Sequence, residues 1–137
     1  MARKYRAMFI DGTIYPLHLA ISAGWKVHYF TAGMASNPAH RDEERRFLED
    51  MPAVLGSRAM TALAGISEML GLDYAGADFA IAPDGSLLLF EANATMAVIA
   101  PDPDPIWDYR RRAVAAVSDA VSRMLSLRAG DRDGHSG

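Results

Sequence analysis

There is no cysteine among the 137 residues, so neither a disulfide framework nor a thiolate metal site can form. That absence suits a reducing compartment, and the expected location is the cytoplasm. Lysine is almost as scarce, with only Lys4 and Lys26, and the net charge of −3 provides no basic stripe that could follow a nucleic-acid backbone. No run approaches the ~20 apolar residues that a helix needs to cross a bilayer. The basic start Met1-Ala-Arg-Lys-Tyr-Arg6 meets an Asp-Gly turn before a signal-peptide core can develop. Neither nucleic acid nor membrane is expected as a partner. A Gly-x-Ser-x-Gly elbow is also lacking, and nothing else resembles a nucleophilic triad.

What is present suits one domain. Half the residues are hydrophobic, and the length lies within the usual ~100–200 residues per domain. The domain is expected over residues 3–128, followed by a disordered tail at 129–137. The eight methionines suit core filling.

Residues 4–10 and 13–21 flank Asp11-Gly12 and predict a hairpin, with Arg6 opposite Leu17 and Tyr5 opposite His18. Pro16 implies a free edge on its second strand. Residues 26–31 read as a further strand. Mixed charges around Phe47 and Leu48 predict a short surface helix over 40–50, ending before Pro52. Met60, Leu63, Ala64, Ile66 or Ser67, and Leu70 recur at helical spacing over 57–70, with Gly56 or Ser57 to start the helix and Gly71 to end it. A second hairpin is expected over 74–92, then a loop through Pro101-Asp-Pro-Asp-Pro105. A last helix over 106–128 would bury Ala113, Val114, Val117, Val121, Met124 and Leu125, with Arg110, Arg111 and Arg112 in solvent. Strands, helices, strands and a helix in that order predict an α+β fold, an antiparallel β-sheet built from hairpins and covered by helices.

The chemistry concentrates in the second hairpin. If Asp84 and Gly85 form a two-residue turn, Asp78 and Glu91 face each other across the strands. Directly opposed like charges destabilise a sheet unless they are neutralised. A divalent cation would neutralise them, and Asn93, two residues beyond Glu91 on the same face, would add a third oxygen donor. Oxygen-only ligation selects Mg²⁺ or Mn²⁺. Both faces of this hairpin carry apolar companions and are expected to be largely covered, a setting in which a lone carboxylate is costly. A one-residue slip would separate the two acids and leave them as ordinary surface groups.

The strand with Tyr5-Arg6 and its Asp-Gly turn, followed by Asp78-Phe79 and then Phe90-Glu91-Ala92-Asn93, resembles the C-terminal half of an ATP-grasp domain. The resemblance runs from about Lys4 to Met96 and is to the glutathione synthetase-like and peptide-ligase-like members in particular. It implies that Asp78, Glu91 and Asn93 hold the magnesium ions bridging the phosphates of ATP. It also implies that Arg6 is catalytic and steadies the γ-phosphate or an acyl phosphate. His18 and His28 are further candidates for phosphate or substrate contacts. The activity implied is ATP-dependent joining of a carboxylate to an amine, neither of which the sequence identifies. The family's N-terminal half, with its glycine-rich loop and adenine-side lysines, has no counterpart here. The chain thus resembles a fragment of a longer ligase, a truncated gene product or one half of a split enzyme, and the expected partner is the missing N-terminal half or a second copy of this chain. Two alternatives stand beside this reading: a non-catalytic metal- or nucleotide-binding assembly module, and an inert interaction domain with Asp78 and Glu91 as surface acids.

Overall fold

A computed structural model describes residues 1–24 and 33–134, with side chains as far as Gly130. The strand expected at 26–31, and His28 with it, lies outside the described residues. The fold is α+β: a four-stranded antiparallel sheet in the order β2-β1-β3-β4, with helices packed on it.

Strands β1 (Ala2–Ile10) and β2 (Thr13–Ser22) meet at Asp11-Gly12. Both turn residues have positive φ, 50° and 82°, which is the two-residue hairpin turn that matches strand twist. Pairing then departs from the expected register. Ala7 faces Pro16 but Arg6 faces His18, so Leu17 is an extra, bulged residue, and Tyr5 pairs with Leu19 rather than His18. Pro16 cannot donate to the ladder, and the adjoining bulge absorbs that defect.

Strands β3 (Tyr74–Ile81) and β4 (Leu87–Asn93) form the second hairpin. Its loop has three residues, not two. Gly85 N–H donates to the Ala82 carbonyl at 2.8 Å and Ala82 N–H to Ser86 at 2.8 Å, with Gly85 at φ 86° closing a turn led by Pro83. The ladder runs from Ile81–Leu87 to Phe79–Leu89, then skips Phe90 and resumes at Asp78–Glu91. The expected cover over both faces is also corrected. Leu88, Leu89 and Phe90 are 51%, 47% and 49% exposed, because β4 is the outer strand of the described sheet.

Helix α1 (Pro38–Glu49) starts earlier than the charge pattern suggested, because Asn37 accepts the Ala39 and His40 amides and Pro38 suits the first turn. Pro52 lies in the first turn of a second helix, α2 (Met51–Leu55), capped by Asp50. Helix α3 (Ser57–Leu70) ends at Gly71 in the left-handed conformation, and it buries Ala59 and Leu63 while Ala64 is exposed. Helix α4 (Asp108–Gly134) follows a 3₁₀ turn at Pro105–Trp107. It buries Val117, Ala120 and Met124, with Leu125 exposed. It also continues through residues 129–134, where a disordered tail was expected. Helical hydrogen bonds propagate without apolar side chains once the helix is under way. Arg128 also ties this end to Asp11 and Asp73 at 3.1 and 3.0 Å.

Side chains alternate across each strand, which gives two cores. On one face Tyr5, Phe9 and Phe79 pack with Phe47 and Leu63 of the first three helices, Tyr5 stacking on Phe79 at 5.5 Å. On the other face Met8, Ile10 and Leu17 pack with Met96 and with Val117 and Met124 of α4. Arg6 alternates with Met8 and Ile10 on this α4 face.

Candidate active site

Four of the residues singled out from sequence form one row straight across the sheet. His18 pairs with Arg6, Arg6 with Asp78, and Asp78 with Glu91, so β2, β1, β3 and β4 each contribute one side chain to the same face. Two bulges make this row. Without Leu17 as an extra residue, His18 would fall out of line, and without Phe90, so would Glu91. Bulges are a usual device for aiming a side chain beside a site.

Asp78 is 4% exposed and is gripped at two points by Arg6, Nε to Oδ1 at 2.7 Å and Nη2 to Oδ2 at 2.9 Å. The hydrogen bonding to Asp78 raises the Arg6 guanidinium above its ordinary value; burial opposes this, and the charges of Asp78 and Glu91 add to it. Glu91, on the outer strand, is exposed and accepts the Asn93 side-chain N–H at 2.7 Å. Asn93 turns its oxygen the other way, to the Thr95 N–H and hydroxyl at 2.9 and 3.0 Å. Of the two opposed carboxylates, Asp78 is the one that Arg6 grips directly. All donors are oxygens, the set that suits a hard divalent ion; Glu91 can supply it directly, whereas Asp78 would have to share oxygens already gripped by Arg6. Asn93 would have to share an oxygen already taken by Thr95. Among the described residues no group of three or more His, Asp or Glu side chains gathers at one point.

The chain after Asn93 folds back over this face. Met96 is buried against Met8 and Gly76, and its carbonyl accepts the Tyr74 hydroxyl at 2.5 Å. A cavity of about 320 Å³ results, lined by Arg6, Leu17, His18, Ala97, Arg110 and Val114 among others.

Beneath the cavity lies a residue that sequence reasoning placed on a surface helix. Glu44 of α1 is fully buried. Its Oε2 accepts the Leu19 N–H at 2.9 Å and pairs with His18 Nδ1 at 2.7 Å; its Oε1 accepts the Tyr109 hydroxyl at 2.5 Å and Arg110 Nε at 2.6 Å. Burial works to raise the Glu44 carboxyl, but the His18 contact and the Arg110 and Tyr109 donors outweigh it and hold it below the ordinary value. The Tyr109 hydroxyl is pushed well above its usual range by burial and by that carboxylate. Arg110 is thus drawn out of the solvent expected for it and lies 4.1 Å above the Trp107 ring. Arg111 is likewise engaged, donating to the carbonyls of Asp102 and Asp104 and so bracing the proline-rich loop. The one available signal was spacing: Glu44 is one helical turn before Phe47, and Arg110 one turn after Trp107.

Comparison with models of protein families, with curated proteins and with solved structures returns no match. No helix among the described residues is long and apolar enough to cross a membrane.

Proposed function

We propose that this chain is the ATP- and magnesium-binding C-terminal part of an ATP-grasp carboxylate–amine ligase, acting in the cytoplasm together with an N-terminal half or a second copy. The observation that carries this reading is the row from Arg6 through Asp78 to Glu91, a fixed cation next to two opposed acids on one face. Phosphoryl transfer from ATP to a carboxylate asks a protein mainly for positioning and charge neutralisation, which such a row supplies. Asp78 and Glu91 would hold Mg²⁺, and Asn93 orients Glu91; bound Mg²⁺ supplies neutralisation of the phosphate oxygens. Arg6 spends Nε and one Nη2 hydrogen on Asp78, which leaves its remaining N–H groups to steady the transferring phosphoryl group. An amine then displaces the phosphate from the acyl phosphate, without a nucleophilic side chain.

The test is titration of the full chain with Mn²⁺ and with Mg²⁺ plus ATP, followed by ATP turnover, each against Glu91→Ala. Binding that the variant loses supports the reading, and turnover in the parent alone makes the chain catalytic by itself. If no ion binds even with ATP present, the reading is wrong.

One observation favours a second reading, a non-catalytic assembly module. Leu88, Leu89 and Phe90 follow one another on the outer strand, each about half exposed, where another sheet could add. Ion and nucleotide binding without turnover, combined with self-association, would select it.

A further inference from the structure

We infer that the cavity beside the row is a carboxylate pocket, holding a second anionic group of the substrate with Arg110 as its main contact and His18 beside it. Calling the ligand a substrate rests on the proposed ligase; the pocket stands on separate observations. Three basic side chains, Arg6, His18 and Arg110, line about 320 Å³ whose walls include Leu17, Ala97 and Val114. Apolar walls with a few convergent polar groups are the usual make-up of a small-molecule site.

Arg110 is built to present one edge. Glu44 holds its Nε, Trp107 lies under its plane with Tyr109 beside it, and the guanidinium borders the cavity. A guanidinium anchored along one side offers the fork of its far end to a second carboxylate. Arg6 is also anchored by a carboxylate, in its case at two points, Nε and Nη2, by Asp78.

Charge decides the ligand class. Asp78 offsets Arg6, Glu44 offsets Arg110, and the exposed Asp102 stands at the rim, so the lining carries no net positive charge. Such a lining suits a singly charged carboxylate, met by the fork of one arginine, better than a doubly charged phosphate. Glu44 itself is saturated by four donors and buried, so it makes no claim on the ligand. The substrate would accordingly carry a carboxylate besides the one that is activated.

The experiment is an amide-resolved NMR titration of the full chain with glutarate, neutral glutaramide and inorganic phosphate, without nucleotide or metal. Saturable shifts are expected with glutarate at His18, Ala97 to Asp102 and Arg110, and none with glutaramide. Arg110→Gln should weaken glutarate by about tenfold or more, the loss of a charge-assisted contact, while the exposed Arg112→Gln leaves it unchanged. Should Arg110→Gln unfold, Arg110→Lys keeps the charge, lacks the fork, and should also weaken binding. No saturable shift, tighter binding of phosphate than of glutarate, or unchanged affinity in both Arg110 variants would overturn the pocket. Glu91→Gln separates the two proposals: it should abolish Mg²⁺–ATP binding and leave the glutarate titration as it was.

Discussion

Arg6 of β1 and Asp78 of β3 are cross-strand partners whose side chains close a two-point ion pair at 2.7 and 2.9 Å. Solvent reaches them unequally, with side-chain exposures of 31% and 6%. Removing the arginine leaves a carboxylate stranded in a dry place, whereas removing the acid leaves a cation that can still find water. Arg6→Met is expected to cost about 3 kcal/mol, the low end for breaking a buried pair. Asp78→Asn should cost less, and the double variant less than the sum of the singles. Denaturant unfolding of the four proteins checks this, and strict additivity would mean the two side chains are not coupled.

Glu44 should make the fold sensitive to acid. Its carboxyl lies below the ordinary value of 4.5 when folded, so its stabilisation is complete above that value and disappears as pH falls through the lower folded one. Thermal unfolding followed from neutral pH down to about pH 3 should fall more steeply for the parent than for Glu44→Gln. Glu44→Ala, which leaves His18, Tyr109, Arg110 and the Leu19 amide without their acceptor, should cost about 3–5 kcal/mol at neutral pH. Parallel acid limbs in parent and Glu44→Gln would contradict the assignment.

Gly76 is a spacer. A Cβ at this position would sit 2.6 Å from Met96 Sδ, 2.8 Å from Met8 Sδ and 3.1 Å from Met96 Cβ. The sulfurs can swing aside, but the Met96 Cβ cannot do so without moving the loop. Gly76→Ala is therefore expected to cost about 1–3 kcal/mol. Hydrogen exchange should quicken from Met96 to Ala100, and Met96→Ala in the same chain should recover part of the loss. Unchanged protection in Gly76→Ala would show that the loop is held elsewhere.

Glu91 should behave in the opposite way. It is exposed and accepts a hydrogen bond from Asn93, so Glu91→Gln should leave unfolding within about 0.5 kcal/mol of the parent. Mn²⁺ affinity, read by calorimetry, should fall below detection. A variant that loses stability without losing the ion would make Glu91 a structural residue.

Much of the fold was legible because its signals are local. Asp11-Gly12 specifies a two-residue turn through backbone angles that few other pairs tolerate, and Gly71 ends α3 for the same reason. The helical spacing of Val114, Val117, Val121 and Met124 marks the inner face of α4 without reference to what it packs on. The opposition of Asp78 and Glu91 was also readable, although by a route that the chain does not take. The expected turn was one residue too short, and the bulge at Phe90 restores the pair.

What could not be read depends on contacts distant in sequence. Periodicity and turn residues marked these segments as strands, helices and turns and set Asp78 opposite Glu91, while the family resemblance singled out Arg6. Only the assembled sheet decided that His18 rather than Leu17 joins their row, because a bulge is a compromise between two paired strands and belongs to neither alone. Only docking of α1 between the edge of β2 and α4 turned Glu44, one acid among several in a charged helix, into a buried acceptor of four hydrogen bonds. Periodicity reports which way a side chain points along its own element; what stands opposite is determined by how the elements close on one another.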